Sequence, residues 1–409
     1  MPVTPAKSPL SYADDPAADA AALLIRVALI ALAILLPIAS ILSRRSIFTL
    51  MPLGAGLVLL AAFIAPRGED WRRLGRNLAS INALIAFTFL IWAALSLAWT
   101  PAYLSGLDRI LKSGGTGILA LLAIAFLPER TRIANLYLVP IGLTLAAAIA
   151  LPLGYFHRDA ITQDRAAVML VLLLWPALAV LASRERWWLA GVLAVLTAGA
   201  IFTLQTPITM IALAAGALTV AVAFSHPRPA ALLLGCAAFL LFALAPAVAY
   251  FAHPLASDHY ALLATLGVWG DLLHQDWPRL ITGHGIEAAQ AGINAGYISP
   301  GVPKSLLFRF WYDLGAIGVL SFAFIVMQSF FFAAQVPLRI APFMLAGLVA
   351  GLTIAIFTES ASQIWWVSLI SGIAILSACV LRGHYKTERP SAKLTSEPPK
   401  APSAARPTL

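Results

Sequence analysis

The stretch that decides the fold is Ala166-Ala167-Val168-Met169-Leu170-Val171-Leu172-Leu173-Leu174-Trp175-Pro176-Ala177-Leu178-Ala179-Val180-Leu181-Ala182, which carries no charged residue. A helix that crosses a bilayer needs about 20 mostly apolar residues. Runs of similar character flank it at 23–43, 47–65, 80–99, 109–127, 133–152, 187–205, 207–224, 230–251, 305–333, 340–358 and 362–381, making twelve in all. The seventh and eighth are separated only by Gln205-Thr206-Pro207 and are compatible with one broken helix. Composition agrees: 61% of the 409 residues are hydrophobic and 11% charged, whereas a soluble domain has about 45–50% and about 25%. Too little polar surface is available to coat a water-soluble body. A cytosolic enzyme, a nucleic-acid binder and a disordered scaffold are excluded, and the expectation is an all-α polytopic integral membrane protein of about twelve spans.

The net charge of +9 does not point to nucleic acid, because the charges gather in short loops and a tail. With the N-terminus inside, the inner segments hold seventeen Lys and Arg and the outer segments eight. That asymmetry predicts both termini in the cytoplasm. The first run is preceded by Asp14, Asp15 and Asp19 and followed by Arg44-Arg45, which is no signal-peptide pattern. Cys236 and Cys379 lie inside apolar runs and read as small core residues. The expected division is a disordered tail at 1–22, spans at 23–251, an outer loop at 252–304, spans at 305–381 and a second disordered tail at 382–409. The loop's Leu262, Leu263, Leu266, Leu272 and Leu273, with Trp269 and Trp277, form an amphipathic stretch suited to the outer membrane interface.

An ionisable side chain at the centre of a spanning helix costs ~2.5–3.5 kcal/mol on insertion scales, so those near spans are informative. Arg309 and Asp313 are four apart and share one helix face. They read either as an internal ion pair facing the bundle or as an anion-binding Arg supported by Asp313. Arg109, Lys112, Arg158, Arg165 and Lys304 lie at the same outer level, where the charge rule disfavours cations. A polyanionic ligand such as a lipid diphosphate accounts for them together. His253, His259, His274 and His284 fall in the loop without metal-site spacing. The expectation is therefore no metal and no cofactor. His259 and His284 are candidate general bases, and Glu359 is a further one. Gly283-His284-Gly285 reads as a backbone turn.

Four short segments carry a family resemblance. The tenth run opens Lys304-Ser305-Leu306-Leu307-Phe308-Arg309-Phe310-Trp311-Tyr312-Asp313-Leu314-Gly315-Ala316-Ile317-Gly318. It resembles the O-antigen ligase and O-antigen polymerase family, which shows His-Asn, then Leu-Gln, then Glu-Leu-Gly-x-x-Gly. Pro278-Arg279-Leu280-Ile281-Thr282-Gly283-His284-Gly285 is similar to the family's Pro-Leu-x-Gly-x-Gly, and Asp164-Arg165 to its Asn-Arg element. Trp99-Thr100-Pro101 ahead of Arg109 is similar to its Trp-Ser segment. The departures are Lys304 and Ser305 in place of His-Asn, Arg309 in place of Gln, and Ser257-Asp258-His259 where the family often has Arg in the third place.

The resemblance implies a bacterial inner-membrane protein whose outer loop is periplasmic. It implies transfer or handling of glycan carried on undecaprenyl diphosphate, for cell-surface polysaccharide assembly, without metal or nucleotide. Arg165, Arg309, Lys304 and Arg109 would neutralise the diphosphate, the first three converging in one pocket below the loop, and Asp313 would support Arg309. A transporter or flippase of a lipid-linked substrate, and a non-catalytic relative that binds lipid-linked glycan, are the alternative readings.

Overall fold

The computed structural model describes residues 16–43, 45–66, 68–128, 133–155, 160–252, 261–358 and 363–383. Among them there is no strand; the chain is all-α. In chain order the helices are α1 (Pro16–Leu42), α2 (Ser46–Ile64), α3 (Gly68–Leu78), α4 (Ile81–Ala98), α5 (Tyr103–Phe126), α6 (Ile133–Gly154), α7 (Ala160–Ser183) and α8 (Trp187–Thr203). They continue with α9 (Pro207–Ser225), α10 (Pro227–Ala252), α11 (Ala261–Gln275), α12 (Arg279–Thr282), α13 (Ala288–Asn294), α14 (Leu306–Ala333), α15 (Ala341–Phe357) and α16 (Ile364–Gly383). Ten of these are long and apolar enough to cross a membrane, and α8 and α15 are apolar but shorter. The protein is a multi-pass membrane protein.

The stretch 166–182 is the axis of the molecule. Every residue from Ala166 to Ala182 on α7 is buried, because α1, α6, α8, α9, α15 and α16 surround it. A helix apolar on all sides either faces lipid or lies in a core, and here packing chooses the core. A second body of contacts joins α4, α10, α11 and α14 around Phe242, Trp269, Phe308 and Trp311.

Prolines shape the contacts in both bodies. Pro37 has no N–H to return to the Ala33 carbonyl, and the preceding turn, Ala31–Leu35, widens into a π-helix. At Gly142, α6 lies against that Ala33 carbonyl so closely that a Cβ would collide with it. Pro246 likewise leaves the Phe242 carbonyl of α10 without its helical donor, and the indole Nε1 of Trp311 donates to it at 2.8 Å.

Helix ends sort into two groups of cross-contacts. At one end Arg382 donates to the Leu127 carbonyl, Arg184 to that of Gly383, and Arg339 pairs with Glu185. At the other end Arg109 pairs with Glu287, Arg309 bonds Gln290, and Arg165 bonds Gln363. That is the pattern of helices running alternately up and down.

The seventh and eighth runs are separate helices, as counted, parted where Gln205 takes φ 52° and Pro207 starts the second. Two expectations are corrected. Helix α1 begins at Pro16, so residues 16–22 are not tail. The amphipathic loop stretch is helix α11, whose Trp269, Leu266, Leu272 and Leu273 turn into the protein core around α10 and α14. Residues 1–15 and 384–409 lie outside the described residues.

Replacing Gly142 with Ala should lower stability by about 1–3 kcal/mol through overpacking against backbone. Gly117→Ala, where a Cβ meets nothing, should stay within about 0.5 kcal/mol of the parent. Thermal unfolding of the two variants in one detergent checks the contrast, and equal midpoints would contradict the packing of α6 on α1.

Candidate functional site

The site is built on a break in α14. Gly315 takes φ 62° and ψ −167°, far from helical values. On the N-terminal side of the break, three carbonyls accept from outside the helix. His284 N–H donates to Tyr312 at 2.9 Å and Gly285 N–H to Asp313 at 2.9 Å. The Trp92 indole of α4 donates to Leu314 at 2.8 Å. Away from water an unsatisfied peptide group costs several kcal/mol, so these donors are what make the break affordable.

Glycine is required on both sides of this junction. Gly283 and Gly285 take φ +71° and +96°, and Gly315 takes +62°, a region costly for other L-residues. A Cβ on Gly283 would strike the Asp313 carbonyl, and one on Gly315 would strike the backbone of Gly283 and Ile281. Gly285 packs as closely on Thr100. The Thr100 hydroxyl donates to the Ile286 carbonyl at 2.7 Å, and Ile286 N–H donates to Ser96 Oγ at 3.2 Å. Three of the four motif segments, at 99–101, 278–285 and 309–318, therefore interlock.

The carboxylate of Asp313, buried at 7% exposure, accepts the backbone N–H of Glu287 at 3.1 Å and of Ala289 at 2.8 Å. It fastens the start of α13 to α14. From that same turn, Glu287 pairs with Arg109 of α5 and the Gln290 side-chain carbonyl accepts from Arg309. Glu287 is buried and takes a left-handed conformation, φ 65°. One turn of chain thus binds two guanidinium groups from two helices.

This differs from the expected ion pair of Arg309 with Asp313. Both Asp313 oxygens already accept backbone donors, and Arg309 reaches the Gln290 amide; the two share a helix face without pairing. Of the expected diphosphate ligands, the described contacts bring two together. Arg109 and Arg309 come together, but Arg165 lies on α7, donating to Gln363 Oε1 at 3.3 Å and resting over the Trp365 ring at 5.1 Å. No described contact joins it to Arg309. Lys304 is exposed immediately before α14.

His284 stacks on the Tyr312 ring, with centroids 4.0 Å apart and planes 5° from parallel. Its Nδ1 lies 3.2 Å from the Tyr312 carbonyl and its Nε2 3.1 Å from Asp276 Oδ2. Through these contacts the ring clips the glycine turn to α14 and to the end of α11. A shallow cleft beside it is lined by Trp269, Asp276, Arg279, His284, Trp311 and Tyr312 among others. His253, His259, Arg158 and Glu359 lie outside the described residues.

The sequence reading missed Glu287, Gln290 and Trp92. No spacing marks the first two, whose importance arises from the fold-back of α13 onto α5 and α14. Trp92 looked like any apolar span residue, although indoles in lipid need an acceptor and that need was a usable signal. No family model, no curated protein and no solved structure matches this chain.

Replacing Gly283 with Ala should cost more than about 2 kcal/mol, adding backbone strain to a collision with backbone. Hydrogen exchange should then show lost protection at residues 283–289 while α7 stays protected. Unchanged protection in that turn would refute the interlock.

Proposed function

We propose that this protein binds a lipid-linked diphosphate glycan at the end of the bundle that carries α11 to α13, in the manner of the O-antigen ligase and polymerase proteins its motif segments resemble. One observation carries the reading. Lys304 and Arg309 sit in the first turn of α14 or just before it, where the helix macrodipole disfavours cations by roughly 0.3–1 kcal/mol each. The direct partner of Arg309 is the neutral amide of Gln290, with Asp313 acting on it only through space, so its N–H groups are not taken up by a carboxylate, whereas Glu287 pairs directly with Arg109. A diphosphate at this end would offset both costs with charge-assisted, two-point contacts.

In a transfer reaction Arg309 and Lys304 would hold the diphosphate and stabilise the charge left on it as the glycan departs. Gln290 would orient the Arg309 fork, and the exposed apolar flanks of the neighbouring helices would accommodate the lipid. The acceptor hydroxyl needs a base. Ser305, where the family has Asn, caps α14 by accepting from Phe308 N–H at 3.2 Å, and His284 is held between two acceptors. These contacts favour the lipid-binding part of the reading over the transfer step.

The reading includes twelve spans in a bacterial inner membrane, cytoplasmic termini and a periplasmic 252–304 segment. The seventeen-to-eight partition of Lys and Arg supports it. A reporter fused after Ala291 should register the periplasm and one fused after Lys393 the cytoplasm; the reverse pattern would remove the ligand reading as well.

Binding is tested with undecaprenyl diphosphate titrated into the protein in nanodiscs, followed by tryptophan fluorescence. Arg309→Ala should weaken it roughly ten- to a hundredfold, a contact of this kind being worth about 1.5–3 kcal/mol. Arg309→Lys should recover only part of the loss. Wild-type affinity in a folded Arg309→Ala variant would refute the site and favour a transporter whose cations line a pathway.

A further inference from the structure

Helix α3 lies at the other end of the bundle from Arg109 and Arg309, and the proposed ligand gives it no role. It sits between α2, which ends at Ile64, and α4, which begins at Ile81. Eleven residues long, it measures about 16 Å at 1.5 Å per residue, roughly half the hydrocarbon thickness. It cannot span, and its short connections hold it at the bilayer boundary.

Its sequence is two-faced. Trp71, Leu74 and Leu78 are spaced i, i+3 and i+7 and share one face; Arg72 and Arg76, four apart, share another. Trp71 meets Phe126 at the end of α5 edge-on, with ring centroids 5.0 Å apart. That contact fixes the helix but leaves Trp71 54% and Leu78 50% exposed. Arg72 and Arg76 are exposed as well. Across 67–78 the sequence holds four arginines against Glu69 and Asp70, so the segment is cationic. An apolar face open at bilayer depth, bordered by free-standing cations, matches an interfacial helix that lies in the headgroup layer.

We propose that α3 is a docking surface for anionic phospholipid headgroups. Trp71, Leu74 and Leu78 enter the acyl boundary while Arg72 and Arg76 hold the headgroup phosphates. The bilayer is the partner because the neighbouring spans place it there, and an anionic headgroup is its chemistry because the exposed side chains beside the apolar face are cationic. The inference is independent of the ligand proposed for the opposite end.

The full-length protein is to be reconstituted in nanodiscs of phosphatidylcholine with and without phosphatidylglycerol, and the lipids that it retains measured by native mass spectrometry. The parent should prefer phosphatidylglycerol. The double variant Arg72→Gln, Arg76→Gln should lose on the order of ten- to thirtyfold of that preference at low salt, a juxtamembrane cation being worth about a factor of five. In the parent the preference should decline as salt is raised.

Depth is read separately from a nitroxide at Gly75, where an added side chain meets nothing. The background is Cys236→Ser, Cys379 being buried. With phosphatidylglycerol present, the label should be more accessible to oxygen than to a water-soluble nickel complex. An unaltered lipid preference in the folded double variant would overturn the headgroup site. A fully water-exposed Gly75 label would overturn the interfacial placement, even if some lipid preference persisted.

Discussion

Everything at the candidate site depends on satisfying three backbone carbonyls. Where Gly315 interrupts α14, the carbonyls of Tyr312, Asp313 and Leu314 take donors from His284, Gly285 and Trp92. Asp313, Leu314 and Gly315 are buried, and water does not reach them as a substitute. The break therefore persists only while a glycine-containing turn and an indole are held against it. That requirement draws chain 276–294 back onto α14 and explains why three glycines with positive φ meet at one place. The Trp311 indole on the Phe242 carbonyl solves the same problem for Pro246 of α10.

Once that turn is docked, the charges follow. Asp313 accepts the backbone of residues 287 and 289, which sets the first turn of α13 between α5 and α14. Glu287 and Gln290 then meet Arg109 and Arg309. The result is asymmetric: one guanidinium neutralised by a carboxylate, the other held by an amide. Burying a charge beside a carboxylate and beside a neutral amide have different electrostatic consequences, and the second leaves charge for a ligand. Arg165 has other partners, Trp365 and Gln363 at the start of α16.

The two ends of the molecule also differ in kind. At the α13 end, cations are braced by buried side chains and backbone, a rigid arrangement suited to a defined anion. At the α3 end, Arg72 and Arg76 stand exposed on a short helix beside unburied Trp71 and Leu78, an arrangement suited to a fluid surface.

The sequence by itself determined the all-α membrane class, because runs such as 166–182 have no solution in water. It placed the long apolar helices to within about seven residues at their ends, since hydropathy and length act locally, though not the short α3, α12 and α13, and it flagged Arg109, Arg309, Asp313 and Gly283-His284-Gly285 as notable. Partners were decided only by the tertiary structure. The four-residue spacing of Arg309 and Asp313 suggested a pair, yet each found a better-placed group on a segment some twenty residues away in sequence. His284 read as a candidate base, and packing placed it between Tyr312 and Asp276. The reason is physical: apolarity and helical periodicity are properties of a short stretch of chain, whereas the satisfaction of a hydrogen bond or a charge inside a membrane depends on which groups packing brings within about 3 Å.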